Sequence, residues 1–93
     1  MVKVFMERSI KGNQVREIVR LLRMLRVKAL QQPGFISGET LHAVDDPNHY
    51  LVIGTWEKLA DWEDWFNNPE RKEVQADLDT FLQEPTKIRA YTY

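Results

Sequence analysis

The stretch Tyr50-Leu51-Val52-Ile53-Gly54-Thr55-Trp56 constrains the fold more than any other in this chain. It is β-branched or aromatic and apolar at nearly every position, the pattern of a strand buried on both faces. A chain of 93 residues is expected to form one domain, here residues 1–93. A domain of that size buries only roughly two thirds of the surface its unfolded chain exposes. Two covered sheet faces are therefore hard to supply from one copy, and a second copy would resolve the conflict.

The remaining periodicities supply the partners of that strand. Val2, Val4 and Met6 alternate, which predicts a first strand over residues 2–9. Asn13 is a suitable N-cap for a helix carrying Val15, Ile18, Leu22, Leu25 and Ala29 at three-four spacing. Pro33 and Gly34 stop that helix near Gln32. Residues 35–44 and 49–56 read as a hairpin about the turn Asp45-Asp46-Pro47-Asn48. A second helical region begins near Lys58 and is interrupted at Asn67-Asn68-Pro69, where Asn68 can cap a new segment with Pro69 at its first position. Residues 86–93 alternate again. The order β-α-β-β-α-β predicts an α+β, ferredoxin-like fold: a four-stranded antiparallel sheet with both helices on one face. The other face stays bare, so a homodimer through that sheet face is expected.

Composition narrows the chemistry. There are no cysteines, which removes disulfides, thiolate metal sites and a cysteine nucleophile. No leader pattern is visible at Met1–Arg8 and no apolar run approaches membrane-spanning length, so the expectation is a cytoplasmic protein with no membrane partner. Residues 1–30 carry eight Lys/Arg against two Glu, and the rest five against twelve acidic residues, giving +6 and −7 and the net −1. Arg16, Arg20, Arg23 and Arg26 line one helix face. No aromatic residues interleave with them, so the stripe reads as a solvated face, with no nucleic-acid partner expected.

Three constellations remain. A four-residue turn at 45–48 would set His42 opposite Leu51 and both His42 and His49 on one sheet face. No third ligand falls at a metal-site spacing, so no metal is expected. The same register sets Glu39 opposite Gly54, among Tyr50, Val52 and Trp56, where a carboxyl could serve as an acid or base. On the second helical region Leu59, Trp62 and Phe66 share a core stripe, while Trp65 falls at its edge and suits a cavity rim. Phosphate-cradling, nucleophile-elbow and zinc-protease motifs are absent. Catalysis would rest on an enclosed apolar cavity with a few placed polar groups.

Pro33-Gly34-Phe35-Ile36-Ser37-Gly38-Glu39-Thr40, Asp45-Asp46-Pro47-Asn48, Tyr50 through Glu57 and the Trp62–Trp65 pair together resemble the antibiotic biosynthesis monooxygenase family across essentially the whole chain. The resemblance implies a dimeric α/β barrel. It also implies cofactor-independent oxidation of an aromatic, phenolic or quinol-type small molecule by dioxygen. In that reading Trp65 lines the pocket, and Glu7, Glu39 or His42 acts as base or hydrogen-bond partner. The haem-degrading branch is similar in fold, but its Asn and His positions hold Glu7 and Gln75 here, which argues against haem as a cofactor. The main alternative function is a non-catalytic dimer that binds a small ligand.

Overall fold

A computed structural model describes residues 1–93. The elements are β1 (Val2–Ser9), α1 (Val15–Leu30), β2 (Phe35–His42), β3 (His49–Trp56), α2 (Leu59–Phe66), α3 (Pro69–Asp79) and β4 (Lys87–Thr92). The four strands form one antiparallel sheet in the order β2-β3-β1-β4. This is the expected ferredoxin-like arrangement, with the second helical region split into α2 and α3.

The split lies where the sequence places it. The Asn68 side chain accepts a hydrogen bond from the Glu70 N–H at 2.8 Å, and Pro69 occupies the first turn of α3. The start of α1 differs from expectation. The helix begins at Val15, the capping position falls on Gln14, and no side chain caps it. Its other end is fixed by Gly34 at φ 82°. A Cβ there would stand 2.7 Å from Cβ of Asp61, so glycine is needed both for its dihedral angle and for the close approach of α2.

The core fills the space between the sheet and the helices. Val2, Val4 and Trp56 come from the sheet, Ile18, Leu21, Leu25 and Ala29 from α1, Trp62 and Trp65 from α2, and Val74 and Leu78 from α3. Leu21 is fully buried, whereas Val15 at the predicted stripe's start is exposed. The inward stripe is thus rotated slightly from the predicted one, with Leu22 at its flank rather than its centre. On α2 the assignment changes more. Trp65 is as buried as Trp62, and Leu59 and Phe66 lie outermost. Eight residues make barely two turns, too few for a helical wheel to fix which side faces inward.

Side chains alternate along each strand. Facing β1–β3 pairs Val2–Trp56, Val4–Gly54, Met6–Val52 and Arg8–Tyr50 lie on the helix side. The opposite face carries Phe5, Leu41, Leu51, Ile53 and Tyr91, with Phe5 and Tyr91 packed edge to face at 5.1 Å. No helix covers this second face.

The hairpin register is shifted by one residue from the predicted one. His42 faces Tyr50, Gly38 faces Gly54 and Glu39 faces Ile53. The cause lies in the turn. Asp46 accepts the His49 N–H on its carbonyl and the Asn48 N–H on its side chain, both at 3.0 Å. This closes the loop tightly and leaves Val44 fully outside the ladder, while the Ala43 N–H donates to His49. A register irregularity between Phe35 and Ser37 absorbs the difference at the other end of β2.

Candidate active site

That register decides what faces the helices. His42 moves to the helix side beside Tyr50, their rings 5.9 Å apart, while His49 stays on the open face with its Nδ1 2.8 Å from Ser9 Oγ. The two histidines are therefore on opposite faces, contrary to the one-face expectation. Nowhere do three histidine or acidic side chains gather as a metal-ligand set.

A cavity of about 500 Å³ lies between the sheet, α1 and α2, within the range of small-molecule sites. Its floor is built from cross-strand rows. Phe35 and Trp56 form one end and His42, Tyr50 and Arg8 the other. Gly38 and Gly54 face each other between them, and the lack of side chains there lets the Phe35 ring and the Trp56 indole lie over them, each 3.3 Å from where a Cβ would stand. Leu22 and Val19 of α1 form the roof, and Trp62 and Trp65 of α2 a wall.

The four sequence-predicted residues separate. Trp65 and His42 line the cavity. Glu39 reaches its edge, but it faces Ile53 and its side chain belongs to the open face by alternation. Glu7 faces Leu51 and Lys87 on that same open face, away from the helices. The carboxyl ringed by Tyr50, Val52 and Trp56 is thus not found, because a one-residue slip exchanges the faces.

The buried polar groups inside the cavity are Arg8, Arg71 and Tyr50, and the sequence patterns single out neither arginine. Arg8 is 4% exposed and Arg71 5%. Arg8 Nη2 donates to Gln75 Oε1 at 2.9 Å. Arg71 donates to the Phe66 carbonyl at 3.4 Å, and its guanidinium lies over the rings of Phe66 and Trp62 at 4.9 and 5.7 Å. Arg8 Nε and the Tyr50 hydroxyl are buried without hydrogen-bond partners. Burial pushes the Arg8 guanidinium below its ordinary value, with Tyr50 and Asp79 offsetting part of that effect. Burial and then the like charge of Arg8 push Arg71 down to about 10, with Asp79 acting in opposition. The Tyr50 phenol is raised by burial and partly relieved by Arg8, so it remains a hydroxyl donor at neutral pH.

The Gln75 carboxamide is fully engaged. Its oxygen accepts from Arg8 and its nitrogen donates to Asp79 Oδ1 at 2.8 Å. It offers no imidazole-type nitrogen to iron, and the residues present do not fit a haem site. What the cavity can do is hold a flat apolar body against tryptophan and phenylalanine and stabilise negative charge at its Arg8–Tyr50–Arg71 end.

A ferredoxin-like α+β sheet with a ligand-sized cavity beneath its helices defines the class. Within it, this chain belongs to the antibiotic biosynthesis monooxygenase family, whose model matches residues 1–77. Among solved structures, a conserved protein from Methanosarcina mazei Go1 is 20% identical, with TM-score 0.88, covering 97% of this chain and 89% of that one. A crystal structure described as an antibiotic biosynthesis monooxygenase gives 18% identity and TM-score 0.89, covering 100% and 98%. SnoaB, a cofactor-independent oxygenase from Streptomyces nogalater, gives 17% and 0.87, covering 99% and 91%. At such identities these likenesses concern the fold. No curated protein matches the sequence. No helix is long and apolar enough to cross a membrane.

Proposed function

We propose that this protein is a cofactor-independent monooxygenase that oxidises an aromatic, phenolic or quinol-type small molecule with dioxygen, and that it works as a homodimer joined through the open sheet face. The observation that carries the reading is the cavity itself. Its walls are tryptophan, phenylalanine and aliphatic side chains, and its buried polar groups are donors and cations, among them Arg8, Arg71 and the Tyr50 hydroxyl. Family membership agrees with it, as does the name of SnoaB.

The chemistry asks little of the protein beyond positioning and charge. A phenol transfers its hydroxyl proton to a base, and the resulting phenolate gives electrons to dioxygen. A C–O bond forms at a ring carbon, the peroxide is protonated, and its O–O bond breaks. Water leaves with one oxygen atom, the ring carbon loses its hydrogen, and the other oxygen stays as a quinone carbonyl. The balance is phenol plus dioxygen giving quinone plus water, with the substrate as sole reductant. His42, at the cavity edge beside Tyr50, is placed to act as the base. Trp65 holds the ring. Arg8, Arg71 and the Tyr50 hydroxyl favour the anion in a site that excludes water. Glu39 serves at the rim at most, and Glu7 belongs to the proposed dimer face.

Oxygen uptake with a panel of hydroquinones and polyphenols tests the proposal. Turnover is expected, falling about a hundredfold or more in His42→Ala and strongly in Trp65→Phe. A folded protein that consumes no oxygen across the panel would leave only ligand binding.

A further inference from the structure

Four arginines and one glutamate line the cavity, in a chain whose net charge is −1. Arg23 and Arg26 come from the stripe on α1 and are exposed, which puts them at the mouth. Arg8 and Arg71 are buried at the inner end. They meet there for a geometric reason. Arg71 and Gln75 lie one turn apart on α3, so the bond from Arg8 to Gln75 brings Arg8 alongside Arg71.

Neither buried arginine makes a direct ion pair; the one carboxylate whose charge acts on both is Asp79, which reaches Arg8 through the Gln75 carboxamide. The ion pairs of the protein are Glu17–Arg20, Lys28–Glu70 and Glu84–Lys87. A buried cation is ordinarily paired, because its desolvation is otherwise uncompensated. Here two cations share one cavity with an unpartnered Nε and an unpartnered hydroxyl. A neutral aromatic molecule would displace solvent and leave the two cations offset only by Asp79.

We infer that the cavity's ligand is an aromatic carboxylate, its ring against Trp65 and its carboxylate on Arg8 and Arg71, with the Tyr50 hydroxyl as a further donor. The inference rests on the cavity being the substrate site, and adds an acid group to the aromatic substrate proposed above. A carboxylate suits the site better than a bare phenol. It is ionised at neutral pH without help from the protein, and its two oxygens match the forked donors of a guanidinium. Arg23 and Arg26 at the mouth would draw such an anion inward. Arg71 stays protonated at neutral pH despite its lowered pKa of about 10.

Calorimetric titration with naphthoate and its neutral isostere naphthamide tests this at fixed ionic strength. Naphthoate is expected to bind at least tenfold more tightly. Arg71→Met should reduce that preference to within about threefold while naphthamide still binds. Arg8→Lys, which keeps the charge but not the fork, should lose an intermediate share and serves if the first variant does not fold. Equal binding of the two probes, binding of neither, or a preference that survives both substitutions would overturn the inference. Binding is read without turnover, so the two proposals fail separately. Naphthoate preference without quinol oxidation sinks only the oxygenase reading, and quinol oxidation without naphthoate preference sinks only this one.

Discussion

Arg8 and Tyr50 face one another across β1 and β3, and the Nε of the first and the hydroxyl of the second are both buried without a hydrogen-bond partner. Two orphaned donors side by side, beneath a cavity, are a cost that folding alone does not require. Such groups typically cost about 1–3 kcal/mol each. In the proposed site they are the groups that a bound anion would satisfy.

Tyr50→Phe should therefore stabilise the free protein, by about 1 kcal/mol, because it removes an unsatisfied hydroxyl and keeps the ring. Urea denaturation at unchanged slope would register the gain. The same variant should bind the naphthoate probe more weakly. A loss of stability would mean that the hydroxyl has a partner in solution.

Gln75→Leu should do the reverse. It removes the acceptor of the 2.9 Å bond from Arg8 and leaves a buried guanidinium with no partner. A hydrogen bond to a charged group is worth about 1.5–3 kcal/mol, so a loss of about 2 kcal/mol is expected in the same measurement.

Arg71 gives a pH dependence with a definite sign. Its pKa in the folded chain is about 10, below the ordinary guanidinium value. Between those values the unfolded chain binds more protons, so this group makes stability rise with pH in that window and leaves it flat below. The stability difference between wild type and Arg71→Met, followed from pH 8 to 11 (pH values set by that window), should be constant up to about pH 10 and then shift in favour of wild type. A difference that stays flat to the top of that range would mean that the Arg71 pKa is not lowered.

Gly34→Ala tests the junction that carries α2 and hence the tryptophan wall. The residue sits at φ 82° with its Cα against Asp61. A destabilisation of about 2 kcal/mol or more is expected, with Trp fluorescence reporting the disturbed packing of α2.

The proposed dimer face can be tested by charge. Leu51→Lys places an ammonium on the open sheet face between Glu7 and Leu41, its cross-strand neighbours. Wild type should sediment at about twice 11.0 kDa, and the variant at the monomer mass. A wild-type monomer at micromolar concentration would remove the dimer from the proposal.

Most of the fold could be read from the chain because local signals and tertiary structure agree. The alternation at Val2-Val4-Met6, the three-four spacing of Ile18, Leu25 and Ala29, and the Asn68-Pro69 cap each specify an element by themselves. The hairpin register could not be read, because it depends on how Asp46 closes the turn and on the irregularity near Phe35. That single residue of slip brought His42 to the cavity side and took Glu39 from it.

The arginines of the site were obscured by their charge rather than by their position. Arg8 continues the inward alternation of Val2, Val4 and Met6, and Arg71 stands three and seven residues before Val74 and Leu78 on α3. Both occupy core positions of their own periodicities. A charged side chain in register with an apolar stripe was the available signal. The residue type speaks against that signal, because arginine ordinarily lies at the surface.

The proposed oxidation of an aromatic substrate by dioxygen in the cavity can be followed through the fate of the oxygen atoms. The most direct measurement is mass spectrometry of the product formed under isotopically labelled dioxygen, with metal-free protein and a hydroxylated naphthoate as substrate. One labelled oxygen atom is expected in the quinone, the other in water, with formation that depends on Trp65 and His42. Unlabelled product, or product formed equally well by both variants, would contradict it.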